Sequence, residues 1–203
     1  MVNTFNTYLR KIPTWVLYVL GAAYPVWLLY QGLTGGLGVD PVKVMEHALG
    51  ERALQLLILG LAVTPLRQRV GLNLMKFRRA IGVIAFFYVF AHLLVWLVLD
   101  VQILSQVWAD ILKRPYVTIG MAGFLVMIPL AVTSNNWSVR KLGPTWRKLH
   151  KLTYAACLLG GVHFVWLVKG FQLEPLIYLG LIVGLLAMRL PKRGKRMAGV
   201  QKA

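Results

Sequence analysis

Long apolar runs, each close to the length needed to cross a bilayer, alternate along this chain with short polar stretches. Roughly 20 consecutive apolar residues span the hydrocarbon core as a helix. Six runs reach or approach that length: 13–30, 45–65, 80–99, 116–132, 149–168 and 175–190. The pattern predicts an all-α integral membrane protein, a six-transmembrane-helix bundle forming a single domain over residues 1–203. Trp15, Trp27 and Tyr30 flank the first run as interfacial anchors, and Pro25 predicts a kink within it. That run is longer than a signal-peptide core and no small-x-small site follows it cleanly, so it reads as a membrane helix rather than a removable leader.

The second run is less uniform. Its first two turns hold Glu46, His47, Glu51 and Arg52, and only 53–64 is cleanly apolar. One reading places this end in the headgroup layer, where charges cost little. The other turns Arg52 inward to meet an anion, such as a haem propionate or a flavin phosphate. The sequence leaves both open for Arg52.

Composition sharpens the membrane reading. Hydrophobic residues make up 58% of the 203, more than a soluble core requires. The single cysteine, Cys157, excludes a disulfide framework, a cysteine-bound cluster and covalent haem attachment. A net charge of +17 would ordinarily raise nucleic acid as a partner. Here the basic residues fall between apolar runs, so the bilayer is the expected partner and nucleic acid is not. With the N-terminus inside, eighteen of the 23 Lys and Arg lie on the cytoplasmic side and five (Lys43, Arg52, Lys113, Arg114 and Lys169) on the other. The positive-inside rule then predicts a multi-pass membrane protein with both termini cytoplasmic.

The chemistry is carried by histidines. A histidine within hydrocarbon is costly and marks a functional site by default. His92 lies about thirteen residues past the inner edge of its helix, which at 1.5 Å per residue is roughly 20 Å. His163 lies the same distance past His150 on a helix running in the same direction. Two imidazoles at one depth can ligate one iron from both faces, so His92 and His163 are the expected axial ligands of a b-type haem. Zinc would call for a further Cys or carboxylate, and these helices offer none nearby. The alternative is that each histidine bonds a neighbouring helix's carbonyl or hydroxyl. His150 sits in a basic interfacial stretch and is a candidate ligand for a second haem. An inner partner for it is missing, because Arg78 and Arg79 occupy the start of the third run and arginine does not ligate iron. Those two arginines are candidates for haem propionates or a flavin phosphate. His47 reads as structural or interfacial.

These residues resemble the ferric-reductase-like transmembrane family, whose members pair His-x13-His on one helix with His-x12-His on another. His150-x12-His163 matches the second pair; the first is incomplete, since Arg78 stands fourteen residues before His92. A wider set of motifs resembles the MsrQ family: GGLGVDP (35–41), H-x-x-G-x-R-A-L (47–54), RPYVTIG (114–120), RKLGPTWRKLHKLTY (140–154), HFVW (163–166) and PLIYLG (175–180). That resemblance covers nearly the whole chain. It implies haem b, with FMN as a further cofactor. It also implies electrons drawn from quinone or a cytosolic flavin reductase and delivered to a periplasmic molybdoenzyme, MsrP, that repairs oxidised methionines. The basic loops 67–79 and 138–151 are candidates for the flavin by charge alone.

The expected function is therefore a membrane electron carrier and electron-transfer subunit of an oxidoreductase system, with no sulfoxide reductase activity of its own. No soluble stretch suffices for a nicotinamide-binding domain, so reductant has to be borrowed. The rivals are a cytochrome b subunit of another dehydrogenase or ferric reductase, and a cofactor-free transporter subunit whose histidines relay protons.

Overall fold

The computed structural model describes residues 2–168 and 170–189, and the described residues are helical, joined by turns. Lys169 and the basic segment containing Lys192, Arg193, Lys195, Arg196 and Lys202 lie outside the described residues, as does Leu190 at the end of the sixth run.

An amphipathic helix, α1 (Val2–Lys11), precedes the first long one and buries none of its residues fully. Hydrophobicity windows pass over such a helix, because its apolar residues lie on one face only. Polar contacts dock it. Asn6 donates to the Gly71 carbonyl and accepts from the Asn73 amide, at 2.9 Å each, and the Lys76 ammonium donates to the Arg10 and Ile12 carbonyls. Helix α2 (Trp15–Leu33) runs unbroken through Pro25.

Helix α3 (Pro41–Pro65) begins four residues earlier than the apolar run suggests, because the sequence supplies a start signal there. Asp40 caps it by accepting from the Lys43 amide at 3.2 Å, and Pro41 occupies the first turn. The charged turns at 46–52 are thus continuous helix. A π-helical turn, Leu66–Val70, follows, and Gly71 ends it at φ 79°. Helix α4 (Arg78–Leu94) likewise widens into a π-helical stretch, Val95–Val101, which stops at left-handed Gln102. A second amphipathic helix, α5 (Leu104–Lys113), lies in the loop before α6 (Pro115–Val132). Two short helices, α7 (Asn136–Leu142) and α8 (Pro144–Leu149), lead through a turn at 150–151 into α9 (Leu152–Leu167) and then α10 (Leu173–Ala187). The fifth predicted run therefore breaks, and His150 does not share a helix with His163.

Among the described residues four helical stretches, Trp15–Leu33, Pro41–Val70, Met75–Val101 and Pro115–Val132, are long and apolar enough to cross a membrane. Helices α9 and α10 have 16 and 15 residues. At 1.5 Å per residue they rise about 24 and 22 Å, short of a core about 30 Å thick.

The bundle is built on two close helix pairs, α3 with α4 and α6 with α9. Small residues let the second pair approach and join the rest: Gly123 and Gly161 meet Leu159, Ile182 and Leu179. A central apolar cluster of Leu54, Leu57, Leu61, Ala85, Met127 and Cys157, with Ile182 of α10, ties the pairs together. Cys157 is fully buried there, a packing residue.

Candidate haem site

A cavity of about 290 Å³ opens between the two helix pairs, and His92 of α4 and His163 of α9 both line it. Their ring centroids are 6.3 Å apart, with ring planes at 80°. Each ring is held by the helix its own helix packs against. His92 Nδ1 lies 2.8 Å from the carbonyl oxygen of Glu46 on α3, and His163 Nδ1 lies 2.7 Å from that of Tyr116 on α6. A carbonyl only accepts, so each Nδ1 carries the proton and donates it. Each neutral ring then presents the lone pair of Nε2, the form that binds metal.

The two sides are built alike. Four residues beyond each accepting carbonyl stands a glycine, Gly50 after Glu46 and Gly120 after Tyr116. A Cβ on Gly50 would stand 3.1 Å from His92 Nδ1, and one on Gly120 would stand 2.9 Å from His163 Nδ1. On a helix, residue i+4 sits directly over the carbonyl of residue i. A side chain there would occupy the space the imidazole fills.

The arrangement fits a bis-histidine haem. Metal–imidazole bonds of about 2 Å, with about 1 Å more from nitrogen to ring centre, put two trans rings about 6 Å apart, against 6.3 Å here. Among the described residues no three His, Cys, Asp or Glu side chains converge as a metal-ion site. The surroundings suit a large apolar ring system: Leu54, Leu57, Phe124, Met127 and Ala156 line the deep end of the cavity. Phe124 is also stacked with Phe86 and Phe90 of α4.

The other expected site residues fall elsewhere. His150 is outside the cavity lining; its ring stacks on Trp146 at 3.8 Å. Its Nε2 is 3.0 Å from the Thr133 hydroxyl, which itself donates to the Pro129 carbonyl at 2.6 Å. That hydroxyl proton is committed, so His150 Nε2 is the donor and has no lone pair to offer iron in this arrangement. Arg52 is exposed and turns away from the cavity, donating to Gln55 at 2.7 Å and lying over the Tyr24 ring. Two residues past Gly50 is about 200° round the helix, which points it at α2 instead. Arg79 donates to Asn136 at 2.7 Å, and neither it nor Arg78 lines the cavity. None of the three arginines expected as propionate or phosphate contacts lines this cavity. Among the described residues the cations that do line it are Lys43 and Arg114, at the end bearing Asp100 and the α3 start. Sequence reasoning missed them, along with Gly50 and Gly120. The signal available was that Gly50, Arg114 and Gly120 each belong to a motif, H-x-x-G or RPYVTIG.

Comparison with known proteins agrees with this geometry. Residues 49–161 match the family described as ferric reductase like transmembrane component. A protein of Agrobacterium fabrum named protein-methionine-sulfoxide reductase heme-binding subunit MsrQ is 50% identical over 195 residues, covering 92% of this chain and 91% of its own. Proteins of the same name from Brucella anthropi and Brucella ovis are each 48% identical, over 87% and 88% of this chain and 80% and 81% of theirs. With a family match over more than half its length and relatives of this identity along most of it, the chain belongs to the ferric-reductase-like transmembrane family and, within it, to the MsrQ subunits.

Proposed function

We propose that the chain is a transmembrane electron carrier that binds b-type haem between His92 and His163 and serves a methionine sulfoxide reductase, MsrP, on the periplasmic side. The observation that carries this reading is the pair of imidazoles 6.3 Å apart in one cavity, each with Nδ1 tied to a carbonyl. The names of the MsrQ relatives support the haem and the reductase system. Haem held by His92 and His163 would supply one-electron chemistry there. The chain's own part is to fix the ring orientations, exclude water from the iron faces with apolar helix surfaces, and set the depth.

In this reading all six long helices cross the bacterial inner membrane. The helices α9 and α10 do so by lying where flanking residues and local thinning make up their length. Both termini are cytoplasmic, by the charge bias. Electrons come from quinone or a cytosolic flavin reductase and leave beside the cavity mouth, where the loops 32–44 and 100–115 form a docking rim. FMN on the cytoplasmic side rests on the family resemblance alone.

The first test is a spectrum of the purified protein. A Soret band with a sharp reduced α band is expected, lost in His92→Ala and in His163→Ala; unchanged haem in both variants refutes the ligand assignment. The second is haem reoxidation after chemical reduction. Adding MsrP with a methionine sulfoxide should speed it, and Lys113→Glu should weaken that effect. Reoxidation by the sulfoxide that is equally fast without MsrP refutes the carrier role.

A further inference from the structure

The cavity is polar at one end only. About 21 Å of helix rise separates Lys43 from Leu57 along α3, and both line it. The same gradient runs along α6, from Arg114 to Met127, and along α4, from Asp100 to Val89. Haem b has a matching asymmetry: two propionates on one edge, methyl and vinyl groups on the opposite one. Burying propionates among Leu57, Met127 and Ala156 would strand two carboxylates in an apolar environment. They must therefore lie at the mouth.

Within the mouth the possible partners are few. Glu46 and Asp100 share it and would repel a carboxylate. Glu51 is already engaged, accepting from Gln55 at 2.7 Å and Tyr178 at 3.1 Å. Two cations remain. Lys43 is paired with Asp40 at 3.1 Å and Arg114 with Asp110 at 3.2 Å. An ammonium has three donors and a guanidinium five, so each keeps donors beyond its local acid. The two stand on opposite sides of the cavity, one on the α3/α4 pair and one at the start of α6. We infer that Lys43 and Arg114 form a clamp for the haem propionates, which fixes the haem upright with its propionate edge at the mouth. This rests on the haem reading above. It also assigns the polar edge of the cofactor to the side where a partner would dock.

The test uses the full chain, freed of haem and titrated in nanodiscs with haem b and with its dimethyl ester, which keeps the iron and ring but lacks both charges. Charge-assisted hydrogen bonds predict that the wild type prefers the diacid by about tenfold or more. In Lys43→Gln with Arg114→Gln that preference should collapse, while ester affinity and the low-spin bis-imidazole spectrum stay as in the wild type. If the double variant keeps the full preference, or if Arg52→Gln alone removes it, the clamp is refuted and the haem reading stands. If neither compound gives a low-spin spectrum with the wild type, the haem reading itself fails and the clamp with it.

Discussion

Replacing Gly120 with alanine should release haem without unfolding the protein. The added Cβ would stand 2.9 Å from His163 Nδ1 and 3.0 Å from Cε1. Carbon contacts are comfortable at about 3.5–4.0 Å, so the ring has to retreat by about 0.5 Å. It cannot do so freely, because Nδ1 is hydrogen-bonded to the Tyr116 carbonyl at 2.7 Å on the same side. Either that bond breaks, or the ring is pushed into the space the iron needs. Overpacking of this kind costs about 1–3 kcal/mol. At 1.4 kcal/mol per factor of ten, haem affinity should fall by about one to two orders of magnitude. The helix itself pulls the other way: glycine to alanine in a helix interior stabilises by about 0.5–1 kcal/mol. The expected signature is therefore weaker haem binding in an apoprotein whose melting temperature is unchanged or raised. Haem titration monitored at the Soret band, beside thermal melts of the apoprotein, reads both. Gly50→Ala, with a 3.1 Å contact, should show a smaller loss, and Gly82→Ala, with nothing within 4 Å, none. Wild-type haem affinity and midpoint potential in Gly120→Ala would refute the account of how the ring is held.

Other outcomes follow from single contacts. The two imidazole planes cross at 80°, so the oxidised haem should give the strongly anisotropic low-spin EPR signal of perpendicular rings; a rhombic signal would mean that they rotate toward parallel on binding. Arg189 reaches into the bundle and donates to the Leu61 carbonyl at 2.5 Å and the Tyr154 hydroxyl at 3.0 Å. Arg189→Ala should cost about 1.5–3 kcal/mol for the charged hydrogen bonds, read as a lowered melting temperature. Asp40→Ala should fray the first turn of α3, seen as faster amide exchange at Val42 and Lys43. The Lys43 side chain and amide hold the Asp40 carboxyl below its usual range. The cap is then fully formed above the ordinary carboxylate range and lost as pH falls through the lowered value, so exchange in the wild type should quicken only in acid.

How much of this could be read beforehand depended on range along the chain. The common depth of His92 and His163 followed from helical rise alone, since both stand about thirteen residues from one edge, and the structure puts the rings side by side. What holds them did not follow. The Glu46 and Tyr116 carbonyls lie on other helices, 46 and 47 positions away, and no local pattern announces which helix packs against which. The break at His150 was not legible because the apolar run from 149 carries no Gly or Pro at the turn 150–151, where the structure ends one helix and stacks the His150 ring on Trp146. Arg52 was indeterminate because inward and outward faces differ by two positions on α3. The amphipathic helices α1 and α5 escaped notice because an average over a window discards the periodicity that defines them.

The Nδ1 proton of His92 and of His163 is directed by a peptide group. A carboxylate in that place could be neutralised by acid or deleted by one codon change; a carbonyl within a helix can be neither. Side-chain substitutions at positions 46 and 116 leave the oxygens where they are. A survey of single replacements there would report on the Glu46 and Tyr116 side chains, which line the cavity, and overlook the carbonyls that orient the two rings. Their importance would surface only through the glycines four residues on, or through insertions that shift the helix along its axis. Acidity outside the membrane likewise has no proton to give or take at these two contacts, so ring orientation should persist wherever the rest of the electron chain can still run.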